Sequence, residues 1–496
     1  MAVAFVLLIL FFAIRLYHLG FLPIFTDEAI YVRWAQIAKF DPVWRFISLT
    51  DGKQPLFMWG SMIAMRFIDD PLLAARFVSV LAGLASATGL FFLTRELFKN
   101  KWIGIIASFL YIIYPFALVY DRIALYDSLV GALAIWNLFL LVLLVRTGRI
   151  DVALIFGMVL GAGVLNKTSG FISAYLMPLG ILLVDLSRKD RVSRIARLFL
   201  LVLLAFGLMY MHYSILRLSP FFHIVDEKNT IFYYPLREWL THPFNFFEGN
   251  FKGLWDWVIT YVTWPVILLI GGSLLIDRKY FREKVFLLLW FLIPFSILAL
   301  IGKVLYPRFI FFMTLYLLPL AAYSLYALRL RIKNTVLYAS FCLLVVLALI
   351  RSDFFILTDF AHAPIPRIDL GQYINGWPAG GGVKEAIVFF EEEAKKGKVL
   401  VITQGTFGLF PFAFEIYLKD NPNITVSSFW PVTETPPSEA VEKNSSMLVY
   451  LVFYQPCLSC PATGEAPITW KLEKVLEFKK GIGEESKLTI YRLPTR

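Results

Sequence analysis

An adjacent pair of carboxylates, Asp27 and Glu28, stands in the stretch Phe25-Thr26-Asp27-Glu28-Ala29-Ile30-Tyr31, directly after the first apolar run of the chain. A carboxylate within hydrogen-bond reach of a hydroxyl can take its proton as that oxygen attacks, which is general-base chemistry. Cations recur at matching places. Lys53 lies in Asp51-Gly52-Lys53-Gln54-Pro55-Leu56, Asp127 closes Asp121-Arg122-Ile123-Ala124-Leu125-Tyr126-Asp127, and Lys303, Tyr306 and Arg308 fall in Gly302-Lys303-Val304-Leu305-Tyr306-Pro307-Arg308. Lysine offers a point charge and arginine a planar fork to an anionic oxygen group. Carboxylates and cations gathered at one lipid–water boundary suit chemistry on an amphiphile with an anionic head. Each residue also has a plainer reading. Thr26 or Asp27 can cap a helix lying on the membrane surface, Lys53 can be a solvated turn residue, and Asp127 can cap the helix that follows it. Arg76 is harder to dismiss, because a charge entering an apolar span needs a partner or a polar cavity.

The elements that must position these residues follow from composition. Of 496 residues, 59% are hydrophobic, 17% aromatic and only 17% charged, against about 25% charged in ordinary globular chains. That balance excludes a cytosolic enzyme, a disordered scaffold and a fibrous repeat. The fold class is a polytopic α-helical membrane protein with a C-terminal extracytoplasmic α/β domain. About eleven apolar runs approach the roughly 20 residues that a spanning helix needs. They cover 2–19, 72–94, 102–120, 128–145, 152–165, 171–186, 198–216, 254–276, 285–301, 309–328 and 335–350, with 152–165 short enough to be broken or re-entrant.

Taken alternately, the loops divide by charge. One set holds Arg95, Lys99 and Lys101, then Arg146 and Arg149, then Arg188, Lys189, Arg191, Arg194 and Arg197, then Arg278, Lys279, Arg282 and Lys284, and last Arg329, Arg331 and Lys333. The opposite set, around Arg122, Lys167 and Lys303, is poor in cations. Basic loops face the cytoplasm, so the N-terminus is expected inside and the segments 20–71, 217–253 and 351–496 outside. Most of the net charge of +11 is thereby topological, and no nucleic-acid partner is called for. The first run lacks a basic n-region and a small-residue cleavage site, so it reads as a span and not a signal peptide.

Two domains are expected, a transmembrane part over 1–350 whose outer loop 20–71 carries the site, and a soluble α/β part over 351–496. In the latter, Val383 to Lys396 has helical apolar spacing, while Val399 to Thr403 and Met447 to Tyr454 read as strands, and the flexible Gly380-Gly381-Gly382 marks its approach. Cys457 and Cys460 form a lone Cys-x-x-Cys, open to a local disulfide, free thiols or a metal, with too few ligands in sequence for a zinc site. The aromatic-rich loop 217–253 reads first as an interfacial belt, with contact to a sugar ring or an isoprenoid chain as the other reading.

Thr-Asp-Glu-Ala-x-Tyr after the first span, Gly-Lys-x-Pro-Leu later in that loop, Arg-x-Ala-x-x-Asp after the third span and Tyr-x-Arg-Phe before a Leu-Leu-Pro helix resemble one family. It is that of the polyprenyl-phosphate-dependent integral membrane glycosyltransferases of the C-type fold, nearest in appearance to the protein O-mannosyltransferases and the aminoarabinose transferases. The resemblance covers residues 1–350. It implies transfer of a sugar, with inversion, from a polyprenyl-phosphate donor to a protein, lipid or glycan acceptor on the outer face. It makes Asp27 the acceptor-activating base, with Glu28 and Asp127 shaping the site and Lys53 and Arg308 on the donor phosphate; Arg76, as a charge entering a span, is grouped with these two as a further donor-phosphate candidate. Gln54 departs from the family pattern, where relatives carry a second proline. Base and leaving group on opposite faces of the sugar give inversion. A prokaryotic plasma membrane is the expected location. No cofactor is required, although some relatives use a divalent metal, for which His212, His223, His242, Asp226 and Glu227 are candidates. The rival reading, a transporter or flippase for a lipid-linked substrate, would favour acids near the membrane midplane, whereas these acids sit at its outer edge.

Overall fold

A computed structural model describes residues 2–185, 187, 189–482 and 486–494; Arg188, counted above in a basic loop, lies outside the described residues. Every one of the apolar runs is largely helical. Among the described residues, six helices are long and apolar enough to cross a membrane: Pro71–Phe98, Tyr126–Thr147, Arg191–Leu218, Phe281–Ile301, Arg308–Arg331 and Thr335–Thr358. This is an integral membrane protein. Four more apolar helices, Ala2–Leu16, Lys101–Ile112, Ile150–Asn166 and Thr168–Leu183, are shorter, at 10–17 residues.

Breaks account for much of the difference from the expected count. The run 102–120 divides at Tyr114, because Pro115 begins a second helix, Pro115–Tyr120, and a first turn accommodates a proline, whose missing N–H has no helical partner to lose there. The run 254–276, expected as one span, is instead two helices, Phe247–Val262 and Trp264–Ile276, bent by 100°. Thr263 takes a positive φ of 68° at the corner, and Pro265 opens the second helix. At the other end, Thr335–Thr358 runs through the expected domain boundary at 351.

Beyond it stands a five-stranded mixed sheet. Its strands are β1 (Val399–Gln404), β2 (Ile424–Phe429), β3 (Leu448–Phe453), β4 (Glu473–Lys479) and β5 (Lys487–Arg492), in the order β2-β1-β3-β5-β4. β1 pairs in parallel with both β2 and β3, Val401 standing opposite Val426 and Tyr450. It is buried throughout, as the near-continuous apolar sequence Val-Leu-Val-Ile-Thr-Gln requires of a central parallel strand. β4 lies at the edge, where its lysines and glutamates discourage further pairing. The helix Val383–Ala394 starts where the sequence places it. Cys457 and Cys460 form a disulfide.

The glycine triplet before that helix is close-packed rather than a flexible approach. A Cβ on Gly380 would fall 2.1 Å from the Ile24 carbonyl oxygen, and Gly382, at φ +86°, would meet Phe478 at 2.4 Å. The absence of side chains lets this segment run against the chain that leads into Asp27, where Phe25 and Ala379 form an antiparallel bridge.

Candidate active site

Asp27 sits in the first turn of the helix Thr26–Phe40. That helix does not lie on the membrane surface: most of its positions from Glu28 to Ala38 are buried, enclosed between the membrane helices and the C-terminal domain. Its end is not capped by a side chain either. Thr26 donates its N–H and its hydroxyl to the Pro378 carbonyl, at 3.0 and 3.1 Å. Further along the helix, Arg33 pairs with Glu415 at 2.6 Å and Gln36 donates to the Ile416 carbonyl at 3.1 Å.

With no cap to make, the Asp27 side chain turns to Arg308. Its Oδ2 accepts from Arg308 Nη1 at 2.6 Å, and the two side chains are 26% and 12% exposed, so the pair can be reached from solvent. Arg308 stands at the start of its helix, with its guanidinium over the Tyr306 ring at 4.9 Å. Burial pushes the Asp27 carboxyl up, but the charges of Arg308, Lys53 and Lys167 outweigh it and hold the group below the ordinary aspartate value.

Lys53 is brought to the same place. The turn before it is fixed by Gly52 at φ 65° and by a bond from Lys53 N–H to the Ser48 carbonyl at 2.9 Å. Gln54 has its own use here, donating to the Thr168 hydroxyl at 2.7 Å and so tying this loop to the segment that carries Lys167. Asp51 accepts from Lys228 at 2.5 Å, which joins loop 20–71 to loop 217–253. The Lys53 ammonium lies over the Phe232 ring at 5.5 Å. Partial burial pulls its pKa down to about 8, Asp27 opposing the shift and Arg308 adding to it.

Asp127 accepts from Lys167 at 2.7 Å, and Lys167 lies 5.2 Å from the Phe309 ring centre, next to Arg308. The cluster thus holds Asp27, Arg308, Lys53, Asp127 and Lys167. Lys167 was missed as a site residue; the only signal was a lysine at the end of a span in a loop otherwise poor in cations. Tyr31, one turn beyond Asp27, packs on Tyr126 at 4.6 Å and forms an aromatic wall beside it.

Glu28 and Arg76 are not brought into this group. Arg76 Nε and Nη2 donate to the two Glu28 oxygens at 2.8 and 2.7 Å, and both side chains are 0% exposed. Arg76 also donates to the carbonyls of Leu19, Leu22 and Pro23, and Glu28 accepts from the Ala124 N–H. Every nitrogen of the guanidinium is engaged, which leaves Arg76 nothing to offer a donor phosphate. Lys303 is apart as well, over the Tyr234 ring at 5.6 Å.

The histidines and acids in and near loop 217–253 do not assemble. His212 donates from Nδ1 to the Leu208 carbonyl at 2.8 Å, and His223 to that of Pro220 at 3.0 Å. Among the described residues no three His, Cys, Asp or Glu stand close enough to hold a metal ion.

Residues 52–213 match the family model described as Dolichyl-phosphate-mannose-protein mannosyltransferase. No curated protein matches the sequence. Among solved structures, ArnT from Cupriavidus metallidurans in the apo state matches at TM-score 0.58 and 12% identity, over 100% of this chain and 97% of that one. The apo oligosaccharyltransferase of Archaeoglobus fulgidus matches at TM-score 0.54 and 15% identity, over 91% of this chain and 69% of that one. The mycobacterial arabinofuranosyltransferase AftD matches at TM-score 0.54 and 16% identity, over 100% of this chain and 40% of that one. The C-type fold anticipated from the loop motifs is borne out.

Proposed function

We propose that the protein is an inverting glycosyltransferase that moves a sugar from a polyprenyl-phosphate carrier to an acceptor hydroxyl of a protein, lipid or glycan on the extracytoplasmic face. One observation carries the reading: a reachable carboxylate, Asp27, shares its site with three cations, Arg308, Lys53 and Lys167. The match to ArnT, which has also been solved bound to undecaprenyl phosphate, supports a lipid-linked donor. So does the match to an archaeal oligosaccharyltransferase solved with an inhibitory peptide and a dolichol-phosphate.

In this reading the acceptor oxygen bonds to the anomeric carbon while the bond from that carbon to the phosphate oxygen breaks. The acceptor proton passes to Asp27. The polyprenyl phosphate departs with the bonding pair, and Lys53, Arg308 and Lys167 stabilise the charge that develops on it. Asp127 acts through Lys167, holding its ammonium in place. Glu28 and Arg76 fix the entry of the Thr26–Phe40 helix from beneath, a structural role in place of the contact with donor expected of Arg76. A glycosyl phosphate is already activated, so no nucleotide is required.

The four short apolar helices complete the crossing of the membrane alongside the longer ones. The N-terminus is cytoplasmic, and the C-terminal domain, from about residue 359 onward, is extracytoplasmic in a prokaryotic plasma membrane. The basic loops support that orientation. The transporter reading has no comparable support, since the ionisable cluster gathers where loops meet helix ends.

The test is incubation of the purified protein in nanodiscs with a panel of polyprenyl-phosphate sugars. Release of free polyprenyl phosphate, with a product of inverted anomeric configuration, is the expected result. Movement of intact lipid-linked sugar between leaflets without release would overturn the reading in favour of transport.

A further inference from the structure

The resting geometry raises a difficulty for the reaction just described, and this inference rests on that reading. Asp27 cannot take a proton efficiently while its Oδ2 is held by Arg308 at 2.6 Å, a contact that also keeps its basicity low. The guanidinium has to leave Asp27 as it engages the donor phosphate. A largely enclosed cation that moves from one anion to another is held in its new position only if a second group anchors it there.

The structure offers one. Asp369, in the segment that follows the last membrane helix, is 0% exposed. Its Oδ2 accepts from the hydroxyls of Tyr120 at 2.9 Å and Tyr261 at 2.5 Å. Its Oδ1 is buried and has no hydrogen-bond partner. Arg308 Nε is likewise buried and unpartnered, and the Arg308 charge acts on the Asp369 carboxylate. The free donor and the free acceptor belong to one neighbourhood, since Tyr120, which donates to Asp369, stacks at 5.6 Å on Phe311, one turn along the helix from Arg308. Buried polar atoms left without partners are uncommon and call for an explanation. Tyr373 donates to the Tyr120 hydroxyl at 3.3 Å and packs on Phe25, so the same cluster braces the chain that enters Asp27.

We propose that Asp369 is a positioning residue that receives Arg308 through its free Oδ1 when the guanidinium moves from Asp27 to the donor phosphate. Arg308 then presents its Nη atoms to the phosphate with its Nε anchored, and Asp27 is released to the acceptor. This gives the C-terminal segment a part in the chemistry through geometry alone.

The groups around Asp369 set its titration. Burial pushes its pKa up to about 7, Tyr261, Tyr120 and Arg308 oppose this, and the Asp127 charge adds to it. Only the ionised form can seat Arg308, so activity should rise with pH through that value. In kcat/KM for the donor, which reports the free enzyme, the wild type should show an acid limb near pH 7. Asp369→Asn should remove that limb and lower kcat at pH 8 by about tenfold or more, the equivalent of about 1.4 kcal/mol, with a smaller effect on donor KM. Asp369→Glu should restore part of the rate and the limb. Tyr261→Phe keeps the carboxylate but removes one of its donors, and should move the limb to higher pH. It serves as the second measurement should Asp369→Asn fail to fold. An unchanged limb in folded Asp369→Asn, or an unmoved one in Tyr261→Phe, would overturn the proposal. If the wild type turned over no donor at all, the glycosyltransferase reading itself would fall, and this inference with it.

Discussion

Thr26, the residue before the proposed base, gives both its backbone N–H and its hydroxyl to the carbonyl of Pro378. The helix that presents Asp27 is therefore started by the C-terminal part of the chain and not by a cap of its own. Deleting that part would disturb the site directly, so truncation is a poor probe of acceptor recognition here.

The close approach behind this contact can be tested alone. Gly380→Ala places a Cβ 2.1 Å from the Ile24 carbonyl, a separation that forces the two segments apart. We expect kcat to fall by about tenfold or more, since misplacing a catalytic group by about 1 Å can cost far more than that. Far-UV circular dichroism should stay unchanged. Steady-state kinetics on the donor checks it, and wild-type kcat would show that the pairing is not needed to aim Asp27.

Glu28 and Arg76 should betray a structural role by what they cost. Removing one partner of a buried ion pair leaves the other charge uncompensated, at about 3–5 kcal/mol. Glu28→Gln and Arg76→Met should each lower the detergent-solubilised melting temperature strongly. Arg33→Ala breaks a pair whose side chains are 14% and 25% exposed, and should cost about 1 kcal/mol or less. Differential scanning fluorimetry on the three variants ranks them.

Lys53 sets a basic limb. Its pKa of about 8 means that its charge is present below that pH and lost as pH rises through it. Donor kcat/KM should therefore decline above pH 8. Lys53→Arg keeps its charge at all accessible pH and should abolish that limb, though at a lower plateau because the fork does not reproduce the ammonium geometry. A pH–rate profile from 6 to 10 checks both.

Asp127 and Lys167 should act as one unit. If Asp127 works by holding the Lys167 ammonium, then Asp127→Asn, Lys167→Met and the double variant should each raise donor KM by similar factors, far from additive. Additive effects in a double-mutant cycle would assign the two residues separate tasks.

What the sequence revealed, and what it hid, follows from the range of the forces involved. Apolar runs were legible because a bilayer imposes length and composition locally, and the basic loops because charge counts need no contacts. Pairing was not. Asp27 and Glu28 are neighbours, yet one bonds an arginine 281 positions away and the other an arginine 48 positions away, and nothing in the dipeptide says which. Gly380 to Gly382 looked like a flexible approach because glycine signals freedom and close packing equally. The strands β2, β4 and β5 carry polar or alternating residues, with a weaker period than the buried β1 and β3. Asp369 looked like one acid among many, and its tyrosine partners lie on two distant membrane helices.

The most direct test of the account compares wild type with Asp27→Asn in nanodiscs, reading sugar transfer or slow donor hydrolysis, with donor binding measured in parallel. The account predicts that the folded variant still binds donor while turnover falls by about 10²–10⁴-fold, the range general-base catalysis supplies. Wild-type turnover in folded Asp27→Asn would contradict it and return Asp27 to the role of a counter-ion for Arg308.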